Sequence, residues 1–153
     1  MKTVAYRAAG GVVLDANHRV LLLEREVERN GTPLHEVRLP KGHIDPGESD
    51  EQAAIRETCE ESGYCELDIV ADLGWARSEY NFMKKHYVRD EHFYLMRLRS
   101  AVFRGADVDP NSEEALFCVR WADDLHQAEQ LLTYDSEKEF ARRARNVLSE
   151  WRS

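Results

Sequence analysis

The stretch KGHIDPGESDEQAAIRETCEESGY, residues 41–64, carries Glu57, Glu60 and Glu61 in the closing turns of a segment with helical signals at both ends. At about 100° per residue, Glu60 and Glu61 fall on either side of Glu57, so the three carboxylates share one helix face. Ile55, Cys59 and Ser62 lie opposite, with Thr58 at the flank, and this is the face expected to pack on a sheet. Ala53 and Ala54 are small and leave room beside the acids. The arrangement is locally unfavourable. Acids near a helix C-terminus oppose the macrodipole by about 0.3–1 kcal/mol each, and like charges four residues apart add a few tenths more. One reading is a solvated charged face. The glycine-rich PKGHIDPGE ahead of the helix favours another: Gly42 lets the chain approach an ion or phosphate closely and leaves its carbonyl free. Carboxylates and a backbone carbonyl are the ligands hard cations take, and magnesium favours few of them, completed by waters and substrate phosphates.

The elements that must hold these residues are legible in outline. YRAAGGVVLDANHRVLLLERE reads as strands over about Ala5–Leu14 and Val20–Arg25, with DANH as the turn of a hairpin. LHEVRLP (34–40) is a shorter strand that ends at Pro40. Pro46-Gly47 suits the centre of a type II turn. Ser49 and Gln52 fit a capping box that starts the acidic helix, and Gly63 is a natural stop. Strands over about Cys65–Trp75 and His92–Arg99 flank an aromatic, basic connection, SEYNFMKKHYVRD. LFCVRWA (116–122) is another strand and DDLHQAEQLL (123–132) a short helix. A second capping box, Ser136 with Glu139, opens the last helix, whose apolar stripe is Phe140, Ala144, Val147, Leu148 and Trp151. Trp75, Trp121 and Trp151 are expected in the core, since large aromatics dominate burial. The mixed order of strands and helices suggests an α/β or α+β sandwich.

At 153 residues the chain fits one domain, and a domain of this size buries roughly 68–70% of its unfolded surface without staples. No apolar run reaches the ~20 residues of a spanning helix, and the N-terminus lacks the apolar core of a signal peptide. Cys59, Cys65 and Cys118 match no zinc spacing; they are expected to be free thiols in a reducing cytoplasm. The net charge of −8 argues against binding long nucleic acid through its backbone, but not against a phosphorylated small molecule, because a bound cation reverses the local field.

The residues from Gly42 to Tyr64 resemble the Nudix box, G-x5-E-x7-R-E-U-x-E-E-x-G-U, in which U is bulky and apolar. Gly42, Glu48, Arg56-Glu57, Glu60-Glu61 and Gly63 stand at every fixed position. Thr58 is a variant at one U position and Tyr64 at the last. The resemblance implies a Nudix-type α/β/α sandwich with a mixed β-sheet, a single Nudix hydrolase domain over 1–153. It implies hydrolysis of a nucleoside diphosphate linked to another group, with Mg2+ or Mn2+ as cofactor. Glu57, Glu60 and Glu61 would be metal carboxylates and the Gly42 carbonyl a further ligand. Glu57 is the favoured base for the attacking water, with Arg56 and Glu48 orienting the ligands. A further acid outside the box would be Glu113 or Glu114, of which Glu114 is preferred. No membrane partner is expected, and a monomer or a homodimer fits.

RLPKGHIDPGE is similar to the opening of the box in diadenosine polyphosphate hydrolases, which often read PKGH and place a tyrosine shortly after the box, where Tyr80 stands. ADP-ribose hydrolases tend to have a proline near that place and ARSEYNF has none; no coenzyme A signature precedes the box. Lys41 and His43 are expected to neutralise polyphosphate beside the metal, and Lys84 and Lys85 to hold outer phosphates. Tyr80 and Tyr134 are the stacking faces for adenine. The alternatives are solvated loop charge for Lys84, Lys85 and Arg89, an ordinary loop histidine for His43, and core packing for the tyrosines. Nucleoside triphosphates, diphosphoinositol polyphosphates and 5′-triphosphorylated RNA are rival substrates. A Nudix-like binding module without catalysis is the reading of another class.

Overall fold

AAGGVVL is apolar on both sides of the chain, the mark of a strand inside a sheet. In the computed structural model, which describes residues 1–151, it is the inner half of β1 (Lys2–Leu14), buried from Ala8 onward. The strands that follow are β2 (Val20–Arg29), β3 (Thr32–Arg38) and β4 (Lys41–His43), then helix α1 (Asp50–Ser62). β5 (Leu67–Phe82), β6 (Lys85–Leu98), β7 (Cys118–Ala122), α2 (Leu125–Leu131) and α3 (Asp135–Trp151) complete the order, with a 3-10 turn at Glu113–Leu116. The sheet is mixed, in the order β3-β2-β1-β6-β5; β4 pairs with β1, and β7 with β2. β1 and β6 run parallel from Lys2↔Lys85 to Leu14↔Arg97, and the other pairs are antiparallel.

Helices cover both faces. Val12, Leu22, Phe93 and Leu95 pack against Ala128 of α2 and Phe140 and Ala144 of α3. On the other face Val13, Leu21, Tyr94 and Met96 pack against Ala53 and Ala54 of α1. This is the α/β/α sandwich that the box implies. Fully buried side chains such as Phe93 and Phe140 each contribute roughly 1.5–3 kcal/mol.

Several elements differ from the reading of the sequence. Asp15 does form the turn after β1, accepting the N–H groups of Asn17 and Arg19. But β1 and β2 pair only at Leu14↔Val20 and then diverge. The edge a hairpin would have used is taken by β4, which pairs from Ala8↔His43 to Gly10↔Lys41. A Cβ on Gly10 would sit 2.3 Å from the Pro40 carbonyl oxygen, so this crossing needs glycine. SEYNFMKKHYVRD is not a loop: β5 and β6 run on through it and meet at Met83-Lys84. Both of these residues have positive φ, 48° and 63°, as a tight two-residue hairpin turn requires. α3 starts at Asp135, and the Ser136–Glu139 box does not form; Glu139 pairs with Arg142 and Arg143 instead. The Tyr134 hydroxyl bonds to Glu36 and the Thr133 N–H to the Val37 carbonyl, so the chain enters the helix already tied to β3.

Trp151 and Trp75 are 53% and 41% exposed, not core. Trp75 stacks on the buried His92 and lies under the exposed Arg7, which keeps it at the edge of the sheet. The expectation of free thiols is also corrected: Cys59 and Cys65 form a disulfide, while Cys118 is free and exposed. Closing so short a loop stabilises the fold by about 2 kcal/mol in the chain-entropy account. Among the described residues no helix is long and apolar enough to cross a membrane.

Candidate active site

Local signals fix both ends of α1. The Glu48 N–H bonds to the Asp45 carbonyl across Pro46-Gly47, with Gly47 at φ 81°. Ser49 and Gln52 then cap each other's N–H groups. At the far end Gly63, at φ 82°, donates to the Cys59 carbonyl. The helix is turned about its axis relative to the wheel argument. Its buried residues are Ala53, Ala54, Thr58, Glu61 and Ser62, while Ile55 and Cys59 are only half-buried. Glu61 therefore belongs to the packed face. Its Oε1 accepts the Lys41 N–H at 2.7 Å, joining α1 to β4.

Glu57 lies against the same strand. A Cβ on Gly42 would fall 2.0 Å from the Glu57 carboxylate, so only glycine lets the backbone and the carboxylate meet. Arg56 binds Glu48 through two bonds, of 2.7 and 2.9 Å, and the His43 carbonyl at 3.0 Å. Its Nη1 donates to Glu57 at 2.8 Å and to Glu60 at 3.2 Å. One guanidinium thus sets two of the three carboxylates relative to the glycine loop. Glu113 turns away to Arg29, 3.0 Å distant. Glu114 faces the cluster and raises the proton affinity of both Glu57 and Glu61.

The electrostatics follow from burial. Desolvation pushes Glu61 up to about 8, against the Lys41 N–H that favours its charged form. Desolvation also raises Glu57, opposed by Arg56. Among the described residues no three His, Cys, Asp or Glu side chains are drawn together as a finished metal cage. The donor set nevertheless fits a divalent cation. Glu57, Glu60, Glu61 and Glu114 offer hard oxygens, the Gly42 cradle keeps side chains out of the way, and buried carboxylates with an excess of negative charge favour a cation as they favour protons.

That excess gives a measurable prediction. Glu61 binds its proton more tightly in the fold than in the unfolded chain. Its contribution is complete below about pH 4.5 and is lost as pH rises through about 8. Without metal, the melting temperature of the protein is expected to fall across that window, at roughly 1.4 kcal/mol per pH unit from this group. Glu61→Gln should flatten the slope, and Mg2+ should raise the melting temperature more at pH 8 than at pH 5. An equal slope in the variant would refute the assignment.

Glu61 and Glu114 border a cavity of about 460 Å³, which Gly42, His43, Lys41, Arg25, Arg38 and Arg89 also line. The His43 ring stacks on Tyr6 at 4.4 Å. Tyr80 and Tyr134 line a second cavity of about 490 Å³. Three expectations need correction. Lys41 is not a phosphate arm: its Nζ is 2.6 Å from Glu91 and 3.3 Å from Glu137, and its side chain is 5% exposed. Burial lowers its pKa. Lys84 and Lys85 sit at the tip of the β5–β6 ribbon and line neither cavity. The cationic wall is made of arginines. Arg25, Arg38 and the buried Glu36, Glu91 and Glu137 escaped sequence reasoning. The available signal was charge inside apolar strand patterns, as in HEVRLP and EHFYLM.

The profile of the NUDIX domain family matches residues 5–148. The chain belongs to the NUDIX family. It is 33% identical over 160 residues to a Mycobacterium tuberculosis (strain CDC 1551 / Oshkosh) protein that bears the name mutator protein MutT4. That alignment covers 100% of this chain and 60% of the mycobacterial one, so this chain spans less than two thirds of that relative's length. The asymmetrical bis(5′-nucleosyl)-tetraphosphatase of Rattus norvegicus is 30% identical over 105 residues, covering 69% of this chain and 67% of the rat protein. In structure, the Ap4A hydrolase of C. elegans, solved as a binary complex, aligns with a TM-score of 0.66 and 25% identity. The match covers 95% of this chain and 98% of that one. In sequence and fold the chain groups with Nudix pyrophosphohydrolases.

The two unusual positions of the Nudix box have visible surroundings. Thr58 is fully buried and its Oγ1 has no hydrogen-bond partner. It stands 3.1 Å from where a Cβ on Gly11 would lie, so the small side chain matches a close helix–strand approach. Tyr64 packs its ring 5.2 Å from Phe103 and 5.4 Å from Trp121, an aromatic cluster in place of an aliphatic plug.

Proposed function

We propose that the protein is a Mg2+- or Mn2+-dependent pyrophosphohydrolase whose best-fitting substrate is a diadenosine polyphosphate. One observation carries the reading. Glu61 of the box and Glu114 line a cavity that shares Arg38 and Arg89 with the cavity of Tyr80 and Tyr134. Such an arrangement accommodates a phosphate chain at one end and a nucleobase at the other. The activities named for the rat and nematode relatives agree with it.

In this reading Glu57, Glu60, Glu61, Glu114 and the Gly42 carbonyl would hold the metal. When bound, the ion supplies charge neutralisation at the phosphates and a lowered pKa for the attacking water. The chain's own residues do the rest. Glu57, raised by burial and fixed by Arg56, takes the proton of a water that attacks phosphorus, while the bond to the bridging oxygen of the leaving phosphate breaks. Arg56 positions this base and Glu60 without touching substrate. His43 lines the same cavity and donates to a phosphate. Tyr80 and Tyr134 offer faces to a base. The cytoplasm is the setting assigned to such a substrate; a Cys59–Cys65 cross-link there would be transient, since that compartment keeps thiols reduced.

The test is product identification with a panel of dinucleoside polyphosphates, nucleoside triphosphates, diphosphoinositol polyphosphates and 5′-triphosphorylated RNA, each with and without Mg2+. Metal-dependent cleavage fastest on a diadenosine polyphosphate supports the reading. Faster turnover of another class moves the substrate assignment. Release from none of them turns the protein into a binding module.

A further inference from the structure

We propose that Arg38 and Arg89 form a polyphosphate clamp, a pair of guanidinium groups that holds the phosphates lying between the cleaved bond and the base. The inference rests on the pyrophosphohydrolase reading for the identity of the ligand, and on geometry for the identity of the residues. Among the described residues the two cavities have Arg38, Arg89 and Glu113 in common. Glu113 is acidic and already paired with Arg29. A chain of phosphates that starts at the carboxylates and ends at the tyrosines therefore passes the two arginines.

Their bonding separates them from the other cations near the site. Arg25 also lines the first cavity, but it is used up: Nε donates to Glu36 at 2.6 Å, Nη1 to the Glu113 carbonyl at 2.9 Å, and the group lies over the Phe117 ring. Lys41 is spent on Glu91 and Glu137. Arg38 is different. Among the described residues its buried Nε has no hydrogen-bond partner, and its ion pair with Glu137 is long, at 3.7 Å. Among the described residues Arg89 engages through its Nε, which donates to Ser78 at 3.1 Å and lies 3.5 Å from Glu91 Oε1, and its two Nη groups make no hydrogen bond. A guanidinium carries five N–H donors in a planar fork, and desolvated donors without acceptors are costly to a fold. Paired phosphate oxygens are the acceptors that match this fork.

Each clamp arginine also stands over one of the two tyrosines. The Arg38 guanidinium is 5.8 Å from the Tyr134 ring and that of Arg89 is 5.4 Å from the Tyr80 ring. The β3 end supplies one arginine–tyrosine unit together with the start of α3, and the β5–β6 ribbon supplies the other. A base received at Tyr134, or at the edge of the Tyr80 ring that its stack on Tyr87 leaves open, puts its first phosphates within reach of a guanidinium. The clamp thereby selects substrates with several linked phosphates over those with a single short bridge.

The experiment compares wild type, Arg38→Ala, Arg38→Lys and Arg89→Ala in two assays. One is hydrolysis of diadenosine tetraphosphate with Mg2+. The other is binding of inorganic tripolyphosphate in EDTA by calorimetry, which needs neither metal nor turnover. Each alanine variant should weaken tripolyphosphate binding roughly 10- to 100-fold, the scale of a lost charge-assisted bond pair. The loss in hydrolysis should fall on KM more than on kcat. Arg38→Lys, which keeps the charge but not the fork, should recover only part of it, and it serves as the folding control if the alanine is unstable. Folded Arg38 and Arg89 variants that bind tripolyphosphate as wild type does would overturn the clamp, even with wild-type hydrolysis intact. Tripolyphosphate binding lost in the variants, in a wild type that cleaves no nucleotide, would uphold the clamp while the hydrolase reading falls.

Discussion

Glu57→Gln is expected to lower turnover by about 10³-fold or more while the folded state persists. Glutamine keeps the shape and can still accept the Arg56 Nη1–H that Glu57 Oε1 accepts at 2.8 Å. It cannot take a proton from water, a loss typically worth about 10²–10⁴ in rate, and it removes one carboxylate from the proposed metal site. Stability should hold or rise, because burial already disfavours the Glu57 charge. Glu61→Gln should show a similar collapse with the Lys41 N–H still satisfied by the amide oxygen. Circular dichroism and a thermal melt, beside steady-state kinetics, separate these outcomes. Turnover at the wild-type level in a folded Glu57→Gln would remove Glu57 from the reaction.

Gly42→Ala should be nearly as damaging, for a steric reason. The new Cβ would lie 2.0 Å from the Glu57 Cδ and Oε2, far inside contact distance. Gly42 is paired with Ala9 on β1, so the strand cannot yield without losing its ladder, and the glutamate must swing out. A displacement of about 1 Å in a catalytic group costs on the order of 10² in rate, and this one is larger. Overpacking adds about 1–3 kcal/mol of instability. The double variant with Glu57→Gln is the decisive comparison. Both changes act on one carboxylate, so their effects on kcat should not add. Additive losses would mean that Gly42 acts elsewhere, for instance through its carbonyl alone.

How much of this was legible in the sequence depends on how local the cause is. The limits of α1 were readable because Ser49, Gln52, Gly47 and Gly63 act on their own neighbours. The nearness of Glu57 and Glu60 was readable from helical geometry alone, and one guanidinium reaches both. The burial of Glu61 was not, because the bond that turns it inward comes from Lys41, on another strand. Lys41 was misread for the same reason: its partners Glu91 and Glu137 lie on β6 and α3, distant in sequence. The long β5–β6 ribbon was hidden because polar residues occupy both of its sides near the tip, and its ladder to β1 decides the strand rather than any alternation. For Arg38 the local signal was only a charge inside the apolar pattern HEVRLP; what marks it is an unmatched donor between two cavities. The Cys59–Cys65 bridge is likewise a matter of spatial approach, and cysteine counting alone does not assign it.

Glu137 has a bearing on biosynthesis. Its Oε1 accepts the Leu39 N–H at 2.6 Å and its Oε2 faces Lys41, so α3 buttresses the turn that delivers Gly42. A nascent chain that has emerged as far as β7 already contains every carboxylate of the acidic helix, yet that turn still lacks its anchor. The part of the site around Gly42 should therefore take its final shape only when α3, the last element made, docks on the sheet.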